Sequence, residues 1–246
     1  MNDANREAAA ISFNTRLDVN LIGRVFRQSG RAHIAGILAP AAAERIHRTL
    51  VGDTPWTVAV ADEAGSRDLP VASLAALEPA ERVALEASID RAATHGFAYR
   101  YRNFRIDEAW QAGRHRDHFL MQVYAFLNSA PFLSFARQVT GVPQISYADA
   151  QATSYGPGDF LTSHDDEVPG KHRHAAYVLG FTPQWRVDWG GLLAFPDRFG
   201  HVEEAFGPAF NALNLMRVPT PHTVTQVASF AGAWRYSITG WLRSRP

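Results

Sequence analysis

His164 and Asp166 stand one residue apart, in the run His164-Asp165-Asp166. In extended chain, residues two apart share a face, so the imidazole and carboxylate project together while Asp165 points away. Such a pair, joined by one distant histidine, is the facial ligand set that holds Fe(II) and leaves three coordination positions open. His222, in Pro219-Thr220-Pro221-His222-Thr223-Val224, lies 56 residues beyond Asp166 and is the candidate third ligand. Two other His-x-acid matches dilute the signal. His115-Arg116-Asp117 borders a predicted helix, where residues two apart diverge, and Asp117 reads as its N-cap. His201-Val202-Glu203 falls in a loop-like stretch between strands.

A fourth element raises the odds. Trp234-Arg235-Tyr236-Ser237-Ile238-Thr239-Gly240-Trp241 alternates so that Arg235, Ser237, Thr239 and Trp241 share one face. An arginine turned into a β-fold is costly unless a carboxylate pairs with it. A guanidinium with a hydroxyl two residues on can grip a substrate carboxylate by its fork plus one hydrogen bond. The competing reading is an exposed edge strand with Arg235 in water.

These residues need a scaffold, and the chain changes texture to supply one. Helical spacing predicts helices in the run after Pro40, over Glu78–Ala93, over Asp117–Leu127 and over Pro131–Val139, the last closed by Gly141. From Gln144 the period shortens. Aromatic and β-branched segments predict strands at Ile145–Tyr155, His174–Thr182, Gly191–Phe195, Ala212–Val218, Thr223–Ala228 and Trp234–Arg243, with turn signals such as Gly156-Pro157-Gly158-Asp159 between strands. The expected class is α+β: one domain over residues 1–246, with a helical portion over about 1–143 packed on one sheet of a jelly roll over about 144–243.

Composition sets the outer limits. The 246 residues hold 24 Lys+Arg against 24 Asp+Glu, with a pI near 7.2, so no net field gathers nucleic acid. With no cysteine, disulfides, thiolate-held metals and a cysteine nucleophile are excluded. The longest apolar runs fall short of a membrane span, and Met1–Arg16 lacks the pattern of an export signal, so a cytoplasmic protein with no membrane partner is expected.

The run Tyr155–Glu167 resembles the 2-oxoglutarate- and iron(II)-dependent dioxygenases, and within them the prolyl-hydroxylase branch, particularly the ribosomal-protein prolyl hydroxylases. The similarity continues in collinear order through Gly190–Pro196, Pro221–Val224 and Arg235–Trp241. It implies a double-stranded β-helix core. It implies that His164, Asp166 and His222 hold Fe(II), that Arg235 pairs with the distal carboxylate of 2-oxoglutarate with help from Ser237, and that Tyr155 reaches the same cosubstrate. Dioxygen is then consumed, 2-oxoglutarate leaves as succinate, a substrate carbon is hydroxylated, and ascorbate is a candidate reductant. Asp166 argues against a halogenase, which needs that ligand position vacant. Near Gly180, many relatives carry a further cosubstrate-contacting tyrosine, and its loss here is expected to change or enlarge the pocket.

Phe97–Arg105 interleaves aromatics and arginines, with Phe97, Tyr99 and Tyr101 on one face and Arg100 and Arg102 on the other. It reads as a half-buried strand; the functional alternatives are a rim for an extended peptide or an RNA-stacking surface, the latter lacking any wider basic patch. His172 and His174 are left without a role, Gly190 and Gly191 are read as a strand bend, and Trp241 as core. Three functions compete: hydroxylation of a prolyl residue in a protein or peptide, the same chemistry on a free amino acid or other small molecule, and a catalytically silent binding protein of this fold.

Overall fold

The computed structural model describes residues 11–245, so the part of the leader expectation that concerns positions 1–10 lies outside the described residues. The N-terminal half is not purely helical. α1 (Val19–Ser29) opens where the Asp18 side chain accepts from the Leu21 N–H at 2.9 Å, and closes at Gly30 in left-handed conformation. β1 (Arg31–Ala35) follows, then α2 (Pro40–Gly52) with proline at its start, the hairpin β2 (Thr57–Asp62) and β3 (Gly65–Pro70), and the short α3 (Val71–Ala75). α4 (Pro79–His95) begins where the Glu81 carboxylate accepts the Glu78 N–H at 3.0 Å. β4 (Tyr99–Arg105), α5 (Ile106–Gln111), α6 (Phe119–Leu127) and α7 (Ala130–Thr140) complete this half. Asp117 is not the N-cap of α6. His118 takes that role, its ring accepting from the Leu120 N–H at 3.2 Å.

The second half is β5 (Tyr147–Ala148), β6 (Gln151–Tyr155), β7 (Phe160–His164), β8 (Arg173–Phe181), β9 (Leu193–Pro196), β10 (Val202–Phe206), β11 (Phe210–Arg217), β12 (His222–Val224) and β13 (Arg235–Arg243). The pairings form one path, β1-β11-β8-β13-β6-β4-β7-β12-β9-β10, with β2 on β4, β3 on β2 and β5 on β13. β4 is the corner: it pairs with β6 over Arg102–Arg105 and with β7 over Tyr99–Arg100, so the larger sheet turns into the smaller one. The result is a nearly closed antiparallel barrel, a double-stranded β-helix. The N-terminal half therefore contributes strands at both an edge and a corner; the alternation of Phe97–Arg105 announced the corner strand β4, while β1, β2 and β3 were not expected.

Alternation then sorts the larger sheet into two faces. Tyr177, Leu179 and Phe181 of β8 and Ile238 and Leu242 of β13 join Ile46, Leu50, Leu120, Val123, Leu127, Phe132 and Val139 of the helices in the main core. Each such side chain contributes roughly 1.5–3 kcal/mol by leaving water. The opposite face turns inward, where Arg235 and Thr239 lie. Among the described residues, no single helix is long and apolar enough to cross a membrane. The second decoy of the sequence also resolves: Val202 and Glu203 belong to strand β10, not a loop, and Glu203 pairs with Arg31 at 2.8 Å.

Candidate metal and cosubstrate site

β7 and β12 are hydrogen-bonded neighbours in a register that sets His164 directly opposite His222. Their rings are 4.2 Å apart between centroids. Asp166 completes the group, one carboxylate oxygen 3.5 Å from His164 Nε2 and the other 3.5 Å from His222 Nε2. One ligand atom from each of the three residues lies within 4.8 Å of the others.

The route by which Asp166 arrives differs from strand alternation. β7 ends at His164, and Asp166 has φ +67°, in the left-handed region that aspartate tolerates better than most residues. The chain reverses there and swings the carboxylate back over the histidines. Arg173 holds the bend, its Nη1 donating to the Asp166 carbonyl at 2.9 Å. The two acids flanking the bend are exposed, and Glu167 N–H donates to Asp165 Oδ1 at 3.0 Å.

The histidines present their Nε2 atoms because their Nδ1 atoms are engaged by backbone. His164 Nδ1 lies 3.0 Å from the Thr162 carbonyl and His222 Nδ1 2.8 Å from the Thr220 carbonyl. A carbonyl only accepts, so each Nδ1 carries a proton and each Nε2 is the ring atom turned toward Asp166. Burial, then the neighbouring His164, holds the His222 imidazole below its usual range, so it is neutral near pH 7. Burial alone would push the Asp166 carboxyl up, but its hydrogen bond with His164 and the two nearby imidazoles outweigh that and keep it ionised. Two imidazoles and one carboxylate suit a divalent first-row metal.

The group opens inward onto a chamber of about 70 Å³ lined also by Tyr101, Thr153, Tyr155, Arg235, Thr239 and Trp241. Arg235 is the anomaly there. It is 4% exposed, its Nη1 donates to the Gly191 carbonyl at 2.9 Å, and among the described residues no carboxylate pairs with it. Burial disfavours its charge. Its guanidinium carbon lies 5.1 Å from the centre of the Tyr155 ring, which stacks at 4.9 Å on Tyr101. A buried cation without an anion, beside three side chains that could hold a metal, fits a dianionic chelating ligand with its far carboxylate on Arg235.

Ser237 stands elsewhere. It does not line the chamber, and its hydroxyl meets Thr153 Oγ1 at 2.8 Å, so Thr153 is the hydroxyl that faces the site. Sequence reasoning missed Thr153, although Gln151, Thr153 and Tyr155 alternate on β6 and all reach the chamber. Gly180 does not enlarge the pocket either: a Cβ there would come within 2.6 Å of the Ala209 carbonyl oxygen, so backbone already fills the space. Gly190 and Gly191 do the structural work expected of them. Both have positive φ, a Cβ on Gly190 would run into the Gln226 carbonyl, and the Gly191 carbonyl anchors Arg235.

Outward, the triad meets a cleft of about 560 Å³. Phe97, Tyr99 and Tyr101 form one wall, the Phe97 ring 5.2 Å from that of His164. Arg100 and Arg102 face the other way: Arg100 pairs with Asp159 at 2.9 Å, and Arg102 stacks 4.1 Å over Trp234. Trp241 packs on the cluster of Ala176, Val178 and Leu193, as the core reading expected, and is wall as well. It lines both chamber and cleft, with the Arg173 guanidinium carbon 3.5 Å over its ring. Among the described residues, Arg173 Nε is buried without a hydrogen-bond partner. His174 bonds to Ser244 at 3.0 Å, away from the triad.

Residues 150–243 match the sequence model of the 2OG-Fe(II) oxygenase superfamily. The chain is 31% identical over 117 residues to prolyl 3-hydroxylase OGFOD1 of Mus musculus, a match covering 45% of this chain and 21% of that protein. The Xenopus laevis protein of the same name matches at 31% over 117 residues, with 22% of its length covered. The chain thus spans about a fifth of the length of these relatives. A Pseudomonas putida prolyl-4-hydroxylase superposes with a TM-score of 0.57 at 19% identity, covering 93% of this chain and 100% of that one. A Trichoplax adhaerens prolyl hydroxylase, solved with a hypoxia inducible factor oxygen degradation domain peptide, gives 0.58 at 16%, covering 92% and 89%. At these identities the structures establish the shared fold.

Proposed function

We propose, taking residues 150–243 as a 2OG-Fe(II) oxygenase core, that the protein is an Fe(II)- and 2-oxoglutarate-dependent hydroxylase of a prolyl residue in a polypeptide. The observation that carries this reading is the convergence of His164, Asp166 and His222 in one chamber with the unpaired, buried guanidinium of Arg235. When bound, Fe(II) and 2-oxoglutarate supply the oxidising chemistry, with dioxygen spent on decarboxylating 2-oxoglutarate to succinate and on hydroxylating a substrate carbon.

The chain's own residues do the holding. His164, Asp166 and His222 offer three ligands on one side and leave the side toward the chamber free. Arg235, fixed by the Gly191 carbonyl, takes the distal carboxylate, while Thr153 offers a hydroxyl and Tyr155 a ring beside it. Met216, Leu193 and Val224 make the rest of the lining apolar, which excludes water and strengthens each polar contact.

A polypeptide substrate is supported by the outer cleft. It is lined by residues of several elements, Phe97, Asp107, Lys171 and Trp241 among them, and its aromatic wall offers flat apolar surface for a prolyl ring. The relatives named as prolyl hydroxylases support the same choice. We place the activity in the cytoplasm, with ascorbate as reductant.

The test is a reaction of the purified protein with Fe(II), 2-oxoglutarate and proline-containing peptides, followed by mass spectrometry and succinate assay. One succinate per oxygen gained on proline is expected. Oxidation of free amino acids with no polypeptide turnover replaces the substrate assignment, and succinate formation that persists in Asp166→Ala removes the oxygenase assignment.

A further inference from the structure

The turn between Tyr155 and β7 is held by one side chain. Asp159 is 8% exposed, and its two carboxylate oxygens are both spent. Oδ2 accepts the Gly156 N–H at 2.8 Å, and Oδ1 accepts Arg100 Nε at 2.9 Å. Its backbone is tied as well: its N–H donates to the Gly156 carbonyl at 3.0 Å, and its carbonyl accepts from Val227 N at 3.0 Å. Gly156 has no room to shift sideways, because a Cβ there would meet the Trp234 ring at 2.5 Å. Trp234 is in turn covered by Arg102 and adjoins Arg235.

We infer that Asp159 is a positioning residue for the cosubstrate side of the site, acting through Tyr155; this rests on the oxygenase reading above. The carboxylate fixes the peptide unit that follows Tyr155 against β4, and so sets where the Tyr155 ring stands between Tyr101 and Arg235. A buried carboxylate is costly unless its partners are all in place, so the geometry is held as a unit rather than adjustable. The triad is anchored separately, through the β7–β12 register and the Thr162 and Thr220 carbonyls. Asp159 therefore governs 2-oxoglutarate binding and leaves the metal ligands alone.

The test measures Mn(II) affinity and then 2-oxoglutarate affinity of the Mn(II)-loaded protein by calorimetry, for wild type, Asp159→Asn, Arg100→Gln, Tyr155→Ala and Asp159→Asn in Tyr155→Ala. Asp159→Asn should weaken 2-oxoglutarate by about tenfold with Mn(II) affinity within about twofold of wild type. Arg100→Gln should move the same way by less, and it carries the test if Asp159→Asn does not fold. In the Tyr155→Ala background, Asp159→Asn should add nothing, because the residue acts through that ring. Unchanged 2-oxoglutarate affinity, an equal loss of Mn(II) affinity, or the full effect persisting without the Tyr155 side chain overturns the inference. Wild-type protein that takes Mn(II) but no 2-oxoglutarate overturns the oxygenase reading itself, and is recognised before any variant is made.

Discussion

Arg235 enters the chamber bonded to the Gly191 carbonyl and, among the described residues, faces no acid, so an anionic ligand there would compensate its charge. Replacing it with alanine should weaken 2-oxoglutarate by roughly 2–3 kcal/mol while leaving metal affinity within about twofold, because the lost contact is charge-assisted and bidentate in kind. Arg235→Lys should fall between, since an ammonium lacks the planar fork. Equal binding by wild type and Arg235→Ala, measured by calorimetry, contradicts the assignment. At this scale residue type was more legible than conformation. His164, Asp166, His222 and Arg235 were readable from type and order, yet the reason for Asp166 was wrong, because a left-handed backbone and not strand alternation returns its carboxylate. Ser237 and Thr153 show the complementary limit. Both are small hydroxyls on adjacent paired strands, and only the register tells which one faces the chamber.

Elements carry two tests of their own. β8 passes so close to the Ala209 carbonyl at Gly180 that restoring the tyrosine of relatives by Gly180→Tyr should lower stability by about 2 kcal/mol or more in urea titration, without tightening 2-oxoglutarate. A stable variant with improved cosubstrate affinity would show the space to be free. At the start of α5, burial raises the Asp107 carboxyl from its ordinary 3.8 to about 6, with Asp149 and Glu108 adding repulsion. The folded state thus binds this proton more tightly than the unfolded chain. Its contribution is fully present below about pH 4 and is lost as pH rises through 6. Asp107→Asn should flatten stability over that window and raise it at pH 7 by on the order of 1 kcal/mol, after discounting for partial exposure. An unchanged pH slope refutes the shift. Helices with apolar faces were legible, as α2 and α7 are, because their periodicity is their burial. β1 and the β2–β3 hairpin were not, since their pairing partners lie far along the chain or their exposed side chains carry no alternation.

Taken whole, the barrel is a frame that brings residues from β4, β6, β7, β12 and β13 to one chamber, and the jelly roll was legible because its strands are short, aromatic and separated by turns. From the first half only β4 was legible, through the alternation of Phe97–Arg105; β1, β2 and β3 were hidden among the helices around them. A ligand that joins the paired strands β7 and β12 to β13 across the chamber should stabilise the entire fold by mass action, about 2.7 kcal/mol at a hundredfold excess over its dissociation constant. Divalent metal with 2-oxoglutarate should therefore raise the thermal midpoint, and a chelator should reverse it; a midpoint indifferent to both contradicts a site shared by β7 and β12. The most direct measurement is anaerobic titration of Fe(II) into the protein with 2-oxoglutarate, followed by visible absorption. A saturable metal-to-ligand charge-transfer band is expected in wild type, absent in His164→Ala and Asp166→Ala, and displaced to higher 2-oxoglutarate concentration in Arg235→Ala. A folded wild-type protein that gives no band, or a band that survives loss of Asp166, would contradict the shared ferrous site.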